Sequence, residues 1–266
     1  NVDEIIVSSN KAVGVKLSNG QDILAPIIIS SAGVVNTYGN FLRKSSAYPQ
    51  LSKKLKTVDQ TGSYISLYLG LNKSAQELQL KDTNLWIYPS YNHDENVKSF
   101  IENPNSELPL VYISFPSAKD NDFIDKNLQY ATMEVVSVAN WSDYSKWKDL
   151  PWKKRGKEYE ELKEKITNRL LSVVYKNVSG IEKFIDYSEL STPLSVSNLA
   201  NYSKGELYGI DHTPNRFGEK WLKPRSDIKN LFLTGQDITT VGVTSALFSG
   251  LITASAITKK NLMKDL

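Results

Sequence analysis

The stretch NLFLTGQDITTVGVTSALFSGLITASAI, residues 230–257, decides how the chain is read. Leu231, Phe232 and Leu233 form the short apolar run of a buried strand. The run ends at Thr234-Gly235, where Gly235 permits a tight turn or the close approach of a ligand. Gln236 and Asp237 then present polar ends beyond the strand. A long helix is expected from Gly242, Val243 and Thr244 onward, rich in small residues at Ser245, Ala246, Ser249, Gly250 and Ala254. Strand, glycine turn, acid and helix start form a layout for holding a polar group at the edge of an α/β sheet. Unpaired amides and the positive dipole end of a helix favour negative charge there. A core helix that merely follows a strand gives the same local pattern.

The rest of the 266 residues bounds the function more by exclusion. The length allows one large domain or two modest ones, and a hydrophobic fraction of 40% is that of a globular chain. With 32 basic and 29 acidic residues the net charge is +3, too small a field to steer nucleic acid, so no nucleic-acid partner is expected. No cysteine means no disulfide and no thiolate site, and two histidines, His93 and His212, are too few for a zinc site, so no metal is expected. His93, in the polar loop YNHDEN, is expected to be solvated. The most apolar long run, residues 241–257, is broken by Thr and Ser and is not expected to span a membrane. No signal peptide is visible before Asn1, which points to a cytoplasmic or peripheral-membrane location.

Residues 3–30 read as three strands. Asn19-Gly20 marks a hairpin, and residues 22–30 return as one strand in which Pro26 signals an edge or bulge. Residues 36–59 look helical and polar, with Pro49 breaking them. Strand patterns follow at 64–69, 85–88, 110–115 and 131–139, then an amphipathic helix over 156–175 and a strand over 181–187. These read as an antiparallel sheet inserted between two pieces of another domain. Tyr64, Tyr68 and Tyr112 would line an apolar pocket there, or else pack as plain core. Trp141, Trp147 and Trp152 sit among lysines; a membrane-surface patch would look so, but a loop whose tryptophans dock on the core is the favoured reading.

Several stretches carry a family resemblance: Tyr208-Gly209-Ile210-Asp211-His212, Arg216-Phe217, the segment 230–237, and Gly242 with the small-residue helix running to Lys260-Asn261-Leu262. With Trp147, KKRGKEYEELK at 153–163 and Ser191-Thr192-Pro193-Leu194, they are similar to the C-terminal end of the FAD-dependent retinol saturases, within the phytoene desaturases and carotenoid isomerases. The likeness is dense over the C-terminal half, looser over the first forty residues and weak over 40–140.

That resemblance implies an α/β fold with an α+β insert: residues 1–39 as an FAD-domain portion, 40–197 as a substrate-binding domain, and 198–266 as the FAD-domain return. It implies an oxidoreductase acting on a hydrophobic polyene, with FAD as cofactor and NAD(P)H as a candidate electron donor. Gly235, Gln236, Asp237, Gly242, Val243 and Thr244 would meet the flavin, Asp237 through a ribityl hydroxyl, while Val2 would lie at the segment that meets the adenine and the strand ending at Gly33 would lead back toward the cofactor. His212 would donate the proton that alkene saturation needs, or be a structural histidine beside an Asp211–Arg216 pair. No G-x-G-x-x-G occurs in these residues, so they are expected to be a fragment that binds FAD poorly by itself. A desaturase or isomerase, and a flavin-free module binding an apolar ligand or a protein, are the competing readings.

Overall fold

The computed structural model describes residues 1–126 and 128–265. They form two compact units, Asn1–Thr61 with Tyr208–Leu266, and Gly62–Leu207. Residues 40–61 therefore share a unit with the N-terminal strands, and residues 198–207 share one with the inserted sheet.

Unit one opens with β1 (Val2–Ser8) and β2 (Lys11–Leu17), paired antiparallel, and β3 (Asp22–Leu24) adds to β2 after the Asn19-Gly20 turn. The expected single strand over 22–30 is two. β3 stops at Leu24, and β4 (Ile28–Ser30) belongs to a different sheet. Pro26 separates them, because a residue without N–H cannot continue the ladder. Its carbonyl instead accepts from the Asn230 side chain at 2.6 Å. A π-helical segment, Val35–Phe41, and α1 (Tyr48–Leu55) follow. Pro49 does not break the helical region as expected; it sits in the first turn of α1, where the missing N–H costs nothing. Tyr38, Leu42 and Leu51 are fully buried, so this region is less polar in effect than in composition.

Unit two is built on a five-stranded antiparallel sheet. Along the chain come β5 (Ser63–Leu71), β6 (Leu85–Ile87), α2 (His93–Glu102), β7 (Val111–Ser114), α3 (Asn121–Asp125), β8 (Ala131–Ala139), α4 (Lys157–Asn177), β9 (Ile185–Ser191) and α5 (Pro193–Ala200). In space the strands run β6-β7-β8-β5-β9. β5 and β8 alternate strictly between buried and less buried positions, the period of a sheet with one face on a core. α4 closes that face with Tyr159, Ile166, Leu170 and Val174 at helical spacing. Full burial of side chains such as Leu170 contributes about 1.5–3 kcal/mol each. The expected strand over 181–187 begins later: residues 182–184 make a 3-10 turn, and β9 runs on to Ser191 against β5. The polar stretch read as a loop, YNHDEN, starts α2 instead. Asn92 caps it by accepting from the Glu95 amide, and Asp94 and Glu95 suit the helix dipole. His93 is exposed, its ring edge-on to Tyr88. Trp147 is buried against Tyr159, leaving Lys146 and Lys148 outside.

Unit one resumes with α6 (Pro214–Gly218), β10 (Leu231–Leu233) and α7 (Val243–Thr258). β10 pairs parallel with β4, Leu231 opposite Ile28 and Leu233 opposite Ser30. Among the described residues no helix is long and apolar enough to cross a membrane.

Candidate functional site

The residues singled out by sequence converge on the end of β10. Gly235, at φ +100°, turns the chain out of the strand, and only the Ser31 carbonyl comes within 4 Å of where a Cβ would stand. α7 is stitched back onto β10 by hydroxyls. Ser249 Oγ accepts from the Gly235 amide at 2.7 Å, and Thr253 Oγ1 donates to the Leu233 carbonyl at 2.8 Å. Both side chains are buried, which is why small polar residues recur along this helix.

Asp237 is 4% exposed and clasps two remote segments. Its Oδ2 accepts from the Val34 amide at 2.8 Å and its Oδ1 from the Ile210 amide at 3.1 Å. Gly33 and Gly209, both at positive φ, make room for it: a Cβ on Gly33 would lie 3.0 Å from Oδ2, and one on Gly209 only 2.2 Å from Oδ1. A carboxylate satisfying buried backbone amides is a structural acceptor. The hydrogen bond to a ligand hydroxyl expected of it would be additional to these two. Sequence reading missed the Val34 and Ile210 partners; the Gly209-Ile210 pair inside YGIDH was the available signal.

Arg216 braces the same turn from beneath. It is 3% exposed, and its guanidinium donates to the carbonyls of Ile210 (3.4 Å), Gln236 (2.7 Å), Asp237 (3.2 Å) and Thr239 (2.9 Å). The expected role for Asp211 and Arg216 was a mutual pair pinning a loop. Arg216 does pin the loop, through carbonyls, whereas Asp211 accepts from the His212 amide at 2.8 Å. Burial pulls the Arg216 pKa down, and the nearby Asp237 and Asp211 charges oppose that.

His212 Nε2 lies 2.7 Å from Arg216 Nη1 and 3.0 Å from the Val241 amide. Both neighbours can only donate, so Nε2 is an acceptor and the ring is neutral with its proton on Nδ1. Burial, then the Arg216 charge, holds the imidazole pKa below its ordinary value, against the opposing pull of Asp211 and Asp237. A proton donated by this histidine, the role expected of it, would have to come from Nδ1.

Gly242, at φ +103°, is the N-cap of α7; no side chain caps it, and nothing lies within 4 Å of a would-be Cβ. Val243 is 88% exposed and Thr244 is exposed too. The first-turn amides of an apolar helix thus face outward beside the Gly235 turn, an arrangement that favours partial negative charge on whatever rests there. Gly33 and Gly235–Asp237 belong to this cluster. Val2 does not: it pairs with Leu17 in the meander, and among the described residues no hydrogen bond joins it to the turn.

The tyrosines belong to unit two. Tyr64, Tyr68 and Tyr112 all lie on the face of the sheet away from its core, opposite Val138, Glu134 and Val136 of β8 respectively. They are not core residues. Glu134, which sequence reading passed over, joins them; desolvation raises its pKa, and burial followed by Glu134 raises that of Tyr68. Its signal was an acid at the outward position of the alternating run ATMEVVSVA.

No family model matches the chain. The all-trans-retinol 13,14-reductase of Danio rerio is 34% identical over 98% of this chain and 45% of its own length. The chloroplastic prolycopene isomerase of Arabidopsis thaliana is 25% identical over 79% of this chain and 32% of its own. Among solved structures, an oxidoreductase from Methanosarcina mazei superposes with a TM-score of 0.54 at 12% identity, covering 98% of this chain and 49% of that one; this likeness concerns the fold. By sequence, the chain belongs to the family of the all-trans-retinol 13,14-reductases and spans a little under half the length of the curated relatives it matches.

Proposed function

We propose that the complete protein is an FAD-dependent oxidoreductase acting on a hydrophobic polyene, that it saturates one C=C bond, and that NAD(P)H is its candidate electron donor. The observation that carries this is the glycine-framed turn, in which Gly235 and the uncapped Gly242 leave backbone open beside the α7 N-terminus. These residues fit a flavin: open space at both glycines admits a flat ring, and the outward amides suit an electron-rich edge. When bound, the flavin supplies the hydride chemistry. The chain's own part is to bind and orient. Asp237 and Arg216 lock the turn from within, and Gly235 keeps its surface free of side chain. His212, whose proton sits on Nδ1, is the candidate proton donor of this chain.

The likeness to a prolycopene isomerase supports a second reading, in which the same turn serves an isomerisation of a polyene. The experiment that tests the flavin site is the visible absorption spectrum of the full-length protein, alone and as Val243→Glu. Glutamate in the first turn suits the helix dipole, so melting of the flavin-free variant stays unchanged. Flavin occupancy, in contrast, drops. A colourless, folded protein that cannot be reconstituted with FAD would overturn the proposal and leave a module that binds an apolar ligand or a protein.

A further inference from the structure

Arg155 of unit two is 5% exposed, and its charge is not matched. Its guanidinium makes one long hydrogen bond, from Nη2 to the Leu194 carbonyl at 3.5 Å, and Nε is buried with no partner. The rings of Trp152 and Tyr159 flank it, with centroids 5.3 and 5.2 Å from Cζ. Among the described residues no carboxylate lies within 4.0 Å of it. Leu194 is in the first turn of α5, so the guanidinium also sits at the positive end of a helix. Aromatic faces offset only part of the cost of burying an unpaired cation, and the helix end adds to it.

The side chain lines a cavity of about 310 Å³ with Trp152, Lys153, Tyr159, Lys163 and Ser195. Two acids border it. Glu189 is bonded to Lys163 at 3.1 Å, and Glu160 is exposed. Lys153 and Arg155 are therefore the positive groups without a partnered acid.

We propose that this cavity is a binding site for a compact anion, carrying a carboxylate or a phosphate, that pairs with the Arg155 guanidinium. The planar fork of an arginine matches both groups in bidentate fashion, and Trp152 and Tyr159 lie beside it. The volume is at the small end of ligand pockets, which range over about 300–1,000 Å³, so the anion is short. The site does not rest on the flavin reading.

The test is a titration of the full-length protein at fixed ionic strength, following Trp fluorescence and thermal melting, with inorganic phosphate in one arm and butyrate in the other. Saturable binding in one arm identifies which group the site takes. Arg155→Met weakens that binding by about tenfold or more, as the loss of a charge-assisted pair demands, and Arg155→Lys restores part of it. Glu160→Gln, an exposed change, tightens it by a few-fold and supplies the reading even if Arg155→Met does not fold. No saturable response to either probe overturns the proposal. So does an Arg155→Met protein that binds like the parent, or a Glu160→Gln protein whose affinity is unmoved.

Discussion

Gly209 and Asp237 occupy each other's space: a methyl on Gly209 would stand 2.2 Å from Asp237 Oδ1, while the next amide along, that of Ile210, is the one this oxygen accepts from. Gly209→Ala therefore meets two costs, the clash and a left-handed backbone at φ +64°. The variant should lose about 2–4 kcal/mol in urea unfolding. Removing the carboxylate relieves the clash, so in an Asp237→Ala background the same alanine should cost only about 1–2 kcal/mol of backbone strain. Additive costs would refute this account of the clasp.

Arg216 holds the turn by its carbonyls. Arg216→Met should destabilise by about 2–4 kcal/mol, since four carbonyls lose a charged donor and the Asp237 charge loses its nearby cation. Arg216→Lys keeps the charge but not the fork, so it should recover less than half. Denaturant midpoints at neutral pH check both; full recovery by lysine would show that charge alone matters.

For His212 the sign follows from its lowered pKa. The unfolded chain protonates near 6.5 while the folded one resists, so below about pH 6.5 the unfolded state binds more protons. Stability contributed by the neutral ring is present above pH 6.5 and is lost as the pH falls toward the folded-state pKa. His212→Gln, which keeps an acceptor for Val241 and Arg216, should flatten the stability profile between pH 7 and 5.5. An unchanged slope in that window would remove His212 from the explanation.

The two hydroxyls of α7 should not be equal. Ser249→Ala leaves the Gly235 amide without its acceptor, costing about 1–3 kcal/mol, whereas Thr253→Val strips only a donor from a strand carbonyl, about 1 kcal/mol. Thermal melts of the two variants rank them directly, and the reverse order would contradict the assignment.

Much of unit two was legible because alternation along β5 and β8 is a local signal with one physical cause, a sheet with one buried face. The α7 start at Gly242 was legible for the same local reason. What escaped depended on distant partners. Pro26 marks where residues 22–30 divide, but that Ile28–Ser30 then joins a different sheet is set by a parallel pairing with a segment near the other end of the chain, which no window around Pro26 can display. Asp237 was visible as an acid after a glycine turn, but its buried partners at 34 and 210 were not, and so its scaffold role went unread. Tyr64, Tyr68 and Tyr112 were correctly drawn to one side of a sheet, while Glu134 among them drew no notice because one acid in a strand looks like an ordinary solvent-facing residue.

Val34 and Asp237 are 203 residues apart, and the whole of Gly62–Leu207 lies between them. On the ribosome, chain order makes this a timetable. The inserted sheet is complete in sequence before β10 exists, so it can collapse while β4 still waits for its parallel neighbour. A folded insert also shortens the flexible loop that must close, and loop entropy falls by about 0.6 kcal/mol for each halving of its length. Protease resistance in arrested nascent chains should accordingly appear first within 62–207, and in residues 1–61 only after Asp237 has cleared the exit tunnel.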